Sequence, residues 1–120
     1  MNIAIVGSRH YNDYNQFETL LNQLIINENL NITSIISGGS KGVDSLAEIF
    51  ALNNDIKFIK YTADWKHYGK SAGPIRNKLI IDHSDYVIAF WDGKSKGTLN
   101  SLNLANKSKD KEYVKIISIK

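Results

Sequence analysis

Thr33-Ser34-Ile35-Ile36-Ser37-Gly38-Gly39-Ser40-Lys41-Gly42-Val43-Asp44 runs from a short β-branched stretch through a glycine-rich turn into a segment of different period. Val43, Leu46, Ala47, Phe50 and Ala51 recur at helical spacing, so a strand over 33–37 is followed by a helix that ends near Asn53 and Asn54. Strand, glycine turn and helix in this order form half of a βαβ unit.

The same alternation extends in both directions. Upstream, Asn2 to Val6 reads as a strand broken by Gly7, and Phe17, Leu20, Leu21, Leu24 and Ile25 mark an amphipathic helix over about 15–28. Downstream, Lys57 to Tyr61 is a third strand, and residues 62–73 show neither period and read as a long loop. Pro74 is expected at the first position of a helix, where its missing N–H costs nothing, with Ile75, Leu79 and Ile80 facing inward as far as His83. Asp85 to Phe90 is a fourth strand, Leu99, Leu102 and Ala105 define a last helix, and Val114 to Ile119 is a fifth strand. Residues 1–120 therefore read as one α/β domain, a Rossmann-like, doubly wound parallel sheet with helices on both faces. Right-handed crossovers predict the order 3-2-1-4-5, with a switch point between the first and fourth strands.

Composition narrows the chemistry. With 42% hydrophobic and 22% charged residues the chain has the make-up of one compact domain. No cysteine is present, which excludes disulfides, Cys-ligated metal clusters and Cys nucleophiles. No apolar run approaches the roughly 20 residues of a membrane span, and the N-terminus reads as a strand and not as a signal peptide; a cytoplasmic location is expected. The formal net charge of +3 is carried almost wholly by lysine, since Arg9 and Arg76 are the only arginines.

The eight glycines, at 7, 38, 39, 42, 69, 73, 93 and 97, all fall after predicted strands, on the rim where doubly wound sheets bind ligands. Gly38-Gly39-Ser40-Lys41-Gly42 precedes a helix N-terminus, where backbone N–H groups and the helix dipole favour an anion. As a plain tight turn, the same loop would need Asp44 only to balance that dipole. Gly93-Lys94-Ser95-Lys96-Gly97-Thr98 repeats the pattern after the fourth strand. Alone it is a solvated lysine turn, but two such loops aimed at one crevice favour a phosphorylated ligand. Gly7-Ser8-Arg9 and Gly73-Pro74-Ile75-Arg76-Asn77 place both arginines at that rim as bidentate clamps.

Trp65, Tyr68 and Trp91 lie in rim segments. Trp65 or Tyr68 is a candidate to stack on a base, although Trp65 could equally pin its loop and Trp91 follows a buried strand. Asp44, Asp64 and Asp92 are candidates for ribose hydroxyls. His10, His67 and His83 lack metal-ligand spacing, so neither a metal nor a cofactor is expected.

These motifs taken together resemble the YspA-like branch of the SLOG superfamily, related to the Smf/DprA proteins and the LOG phosphoribohydrolases. The resemblance rests on Ile5-Val6-Gly7-Ser8-Arg9, Ser37 through Ala47, Ala63-Asp64-Trp65, Tyr68-Gly69-Lys70, Ala72 through Asn77, Ala89-Phe90-Trp91-Asp92-Gly93 and Gly97-Thr98. It implies a Rossmann-like fold that binds nucleotides or their derivatives, acting as a sensor or sequestering protein for a signalling nucleotide, with phage-defence conflict as one context. It also implies a homodimer or larger homo-oligomer.

The relatives offer two alternatives. In the LOG enzymes an arginine and a glutamate act in cleaving an N-glycosidic bond; Arg76 matches the arginine, but Ser101 stands where the glutamate is expected. An enzyme of that type would have to use Arg76 with Asp64, Asp92 or Asp44 in place of the glutamate. The Smf/DprA likeness, in Val6-Gly7-Ser8-Arg9 and Gly42-Val43-Asp44, implies single-stranded DNA binding as a third reading. The modest net charge and the lack of an added nucleic-acid domain set the expectation against a nucleic-acid partner.

Overall fold

The computed structural model describes all residues 1–120. Its strands are β1 (Asn2–Gly7), β2 (Ser34–Ser37), β3 (Lys57–Lys60), β4 (Tyr86–Trp91) and β5 (Val114–Ser118). They form one sheet in the order β3-β2-β1-β4-β5, with every neighbouring pair parallel. The connections from β1 and β4 leave in opposite directions, so the predicted switch point lies between their carboxyl ends.

The helices are α1 (Tyr14–Asn27), α2 (Val43–Asn53), α3 (Trp65–Tyr68), α4 (Ala72–Asp82) and α5 (Lys96–Ser108). Short 3-10 turns occupy Gly69–Ser71 and Lys111–Tyr113. Strand residues alternate between two cores, as a sheet covered on both faces requires. Ile3, Ile5, Ile35, Ile88 and Phe90 face α1 and α2, where Phe17 packs against Phe90 with ring centroids 4.6 Å apart. Ala4, Val6, Ile36, Val87 and Ala89 face α4 and α5 and meet Ile80, Ile81, Leu102 and Ala105. No helix is long and apolar enough to cross a membrane.

Two expectations are corrected. Residues 62–73 are not a long loop: the Asp64 side chain accepts from His67 N at 3.1 Å and starts α3, and Gly69, at φ 56°, stops it. Neither Trp65 nor Tyr68 is buried, so this turn has no inward apolar face and hence no helical period to read. Pro74 is the third residue of α4 and not the first, which the helix tolerates because the N–H groups of its first turn have no intrahelical partner.

The inward side of α4 differs as well. Ile75 and Leu79 are exposed, while Arg76, Asn77, Ile80 and Ile81 are buried. The first turns of the helix thus turn polar side chains inward, toward the switch point.

Candidate functional site at the carboxyl rim

The rim loops are held by backbone bonds to one another and to the strands, and by side chains of the rim. Ser8 N donates to Phe90 O at 3.2 Å, tying the end of β1 to β4. Val43 N donates to Ser8 O at 3.1 Å, so the start of α2 is occupied by the β1 loop. That approach needs Gly42: its φ is 76°, and a Cβ there would lie 2.3 Å from Ser8 O. Ser40 N donates to Asp44 Oδ2 at 3.1 Å. Burial raises the Asp44 carboxyl, against the lowering effects of the Ser40 N–H, the Ser37 hydroxyl and the Arg76 guanidinium.

Arg76 is 8% exposed and spans the site. Its Nη1 donates to Gly38 O at 2.8 Å and its Nε to Asn77 Oδ1 at 3.0 Å. Asn77 Nδ2 donates in turn to Asn100 Oδ1 at 2.9 Å, linking α4 to α5. Burial lowers the pKa of Arg76; Asp44 opposes the change and the Arg9 charge adds to it.

After β4, Asp92 Oδ1 accepts from Lys94 N and Ser95 N, both at 2.8 Å, and these bonds hold its carboxyl below the ordinary range. Ser95 caps α5. Trp91 Nε1 donates to Ser95 O at 3.1 Å.

Three clefts open along this rim, and Arg9 lines all of them. The deep one, of about 50 Å³, lies between β1, α4 and α5 and takes in Gly7, Ser40, Asp44, Asn77, Gly97 and Thr98, with Arg76 and Ser95. A wide one of about 490 Å³ is bounded by Gly38, Gly39, Lys41, Trp65 and Arg76. The third, about 340 Å³, is bounded by Ser8, His10, Asp92 and Lys94. Arg9, Arg76, Lys41 and Lys94 make no ion pair; the pairs in the chain are Lys60–Glu48, Lys78–Asp82 and Lys115–Glu28.

Gly42, Tyr68, Asp64, Gly73, Trp91, Gly93 and Lys96 line none of the three clefts. Gly73 lies under the Trp65 ring, and Tyr68 meets His67 edge-on. The three candidate ribose acids have local work: Asp64 caps α3, Asp92 folds its own turn, and Asp44 holds the Ser40 N–H. No group of three His, Asp or Glu side chains is placed to hold a metal ion.

Six further residues line the clefts without having been marked by the sequence motifs as ligand-binding: Val6, Ile80, Ser101, His10, Thr62 and Ala63. Ser101 follows Thr98 by one helical turn, and that spacing puts both on one face of α5.

Comparison with known proteins adds to this geometry. The family model described as YspA, cpYpsA-related SLOG matches residues 1–68. The gene 61 protein of Mycobacterium phage D29 is 31% identical over 80 residues, which cover 62% of this chain and 64% of that protein. The SPbeta prophage-derived protein YoqJ of Bacillus subtilis is 48% identical over 33 residues, 28% of this chain and 19% of YoqJ. The chain thus matches less than two thirds of the length of either curated relative. A solved structure of DNA processing protein A from Helicobacter pylori, described for its single-stranded DNA binding mode, superposes with a TM-score of 0.71 and 26% identity. It covers 100% of this chain and 66% of its own.

That likeness overturns the expectation against a nucleic-acid partner, which rested on the modest net charge and the lack of an added nucleic-acid domain. A charge summed over the whole surface does not register four unpaired cations gathered at one rim. The sequence motifs, the sheet order and the family match agree, and the chain belongs to the YspA, cpYpsA-related SLOG family.

Proposed function

We propose that the chain binds nucleotides through their phosphates at the carboxyl rim of the sheet, as free nucleotides or as units of a single nucleic-acid strand. One observation carries this reading: the only two arginines of the chain line both the deep and the wide cleft, and neither forms an ion pair. An anion between them accepts from planar donor groups suited to phosphate. The N-terminus of α5 adds N–H groups and a favourable dipole, and Trp65 offers a ring at the edge of the wide cleft.

A strand as the source of the nucleotide is favoured by the clefts meeting at Arg9, which joins them into a track with cations along it, and by the likeness to a DNA-binding protein. A signalling nucleotide is the other source, and the phage and prophage origins of the curated relatives fit a role in phage biology. Titration of a fluorescent oligothymidylate, in parallel with calorimetry of nucleoside mono- and diphosphates, separates the two sources. Saturable binding of either that is lost in Arg9→Ala supports the reading. Absence of binding to every nucleotide and strand at low salt overturns it.

A further inference from the structure

α3 contributes nothing to either core: none of Trp65, Lys66, His67 and Tyr68 is buried, and Asp64, Gly69 and Lys70 beside them are exposed as well. A single turn of helix, held by one aspartate cap and a glycine stop, carries two large aromatic side chains into solvent, Trp65 at 53% exposure and Tyr68 at 47%. Adjacent exposed apolar groups rimmed by polar residues mark an interaction surface.

The ring faces are open. Trp65 meets no other aromatic ring and rests its edge on α4, where a Cβ at Gly73 would lie 3.4 Å from its Cη2. Tyr68 meets only His67, with ring centroids 4.4 Å apart and planes 74° from parallel, and one such contact occupies at most one face. Residues three apart on a helix are neighbours on one side, so the two rings follow one another along the surface. Trp65 borders the wide cleft, and Tyr68 lies outside every cleft of the rim.

The ledge is also positive. Residues 62–73 hold Lys66 and Lys70 against one acid, Asp64, whose carboxylate is turned to the His67 N–H. Neither lysine makes an ion pair. Through Trp65 the ledge continues into the wide cleft with its Lys41, Arg9 and Arg76. Open rings suit any base, because every base has a π-face, and unpaired cations beside them complement a phosphodiester backbone; the combination is the platform on which single strands stack. A free mononucleotide in the wide cleft has Trp65 at its edge and no second base to place on Tyr68.

We propose that α3 is a stacking ledge for a single nucleic-acid strand, on which Trp65 and Tyr68 take successive bases while the backbone passes Lys66 and Lys70 into the wide cleft. The inference rests on the nucleotide-binding reading above and deepens it, since it selects a strand over a free nucleotide as the ligand of the rim.

The test titrates thymidine monophosphate by calorimetry and labelled oligothymidylates of two, four and eight nucleotides by fluorescence anisotropy, all at low salt. The eight-mer is expected to bind at least about tenfold more tightly than the monophosphate. Tyr68→Ala should weaken the eight-mer at least about fivefold, the lower end for losing one base stacked on a ring, and leave the monophosphate within about twofold. Tyr68→Phe, which keeps the ring, should retain the wild-type affinity. Circular dichroism of both variants verifies folding, and the wild-type length series stands without them. A monophosphate that binds as tightly as the eight-mer, an eight-mer indifferent to Tyr68→Ala, or a loss shared equally by the monophosphate overturns the inference and leaves nucleotide binding intact. A concentration-dependent dimer abolished by Tyr68→Ala with strand affinity unchanged overturns it too, by giving the ledge to a second copy of the chain. Failure of the monophosphate and of every strand to bind removes the underlying reading itself.

Discussion

Arg76 Nη1 donates to the carbonyl of Gly38 across 2.8 Å, so a residue of α4 holds down the loop between β2 and α2. The bond explains why a charged side chain is buried next to the switch point: it ties two ligand-bearing segments together and keeps the remainder of the guanidinium at the cleft wall. Gly38 makes the geometry possible, because a Cβ at that position would lie 2.5 Å from Arg76 Nη1 and 3.0 Å from Asp44 Oδ2.

Gly38→Ala should therefore destabilise the fold by about 1–3 kcal/mol, the usual range for overpacking a filled site. Urea unfolding measures it. A midpoint equal to wild type would mean that Arg76 moves aside at no cost.

Arg9 is the exposed one of the two arginines, and Arg9→Ala should leave stability within about 0.5 kcal/mol of wild type while weakening nucleotide binding at least tenfold. If Arg9, Lys41 and Lys94 each neutralise one phosphate of a strand, log affinity falls with log salt at a slope of about −2, from the −0.7 per contact of single strands. Arg9→Ala should flatten the slope by about 0.7. An oligonucleotide titration at four salt concentrations reads both numbers, and a slope near zero would exclude phosphate contacts as the source of affinity.

Asp44 gives the stability a pH signature. Burial, the dominant influence, raises its folded pKa above the unfolded value, so in the window from about pH 4 up to the folded pKa the native state binds more protons than the unfolded chain. Stability from this group is then fully present below about pH 4 and falls as pH rises through that window. Asp44→Asn removes the dependence, and the gap between wild type and variant should move in favour of the variant as pH increases. Urea midpoints at half-unit pH steps reveal it; parallel curves would show that the raised carboxyl has no bearing on folding.

The chain has two tryptophans, and only Trp65, 53% exposed, borders a cleft. In Trp91→Phe, which gives up the indole bond to Ser95 O, the remaining fluorescence should be quenched by saturating nucleotide. Trp65→Ala should cost about 1–3 kcal/mol of binding if a base stacks there. An unquenched Trp65 with intact affinity would place the base elsewhere.

The parts of this structure that were legible in the sequence are those in which burial dictates residue type. The β-branched runs of β1, β2 and β4 are covered on both faces, and their order followed from the handedness of crossovers and the glycines at the rim. Legibility failed where an element turns polar residues inward or leaves both faces in water. Ile75 and Leu79 read as the core face of α4, yet Arg76 and Asn77 take that side because it looks onto a cleft. α3 escaped notice because an N-cap aspartate and a glycine stop define it without any apolar stripe. Asp64 and Asp92 looked like ribose partners by residue type, whereas the nearest backbone N–H groups claim them first.

The presence of Arg9 in all three clefts also sets the stoichiometry. One guanidinium cannot neutralise three separate anions, so free mononucleotides compete for it, whereas the linked phosphates of a strand also draw on Lys41 and Lys94. Calorimetric titration with a mononucleotide should therefore saturate at one equivalent per chain.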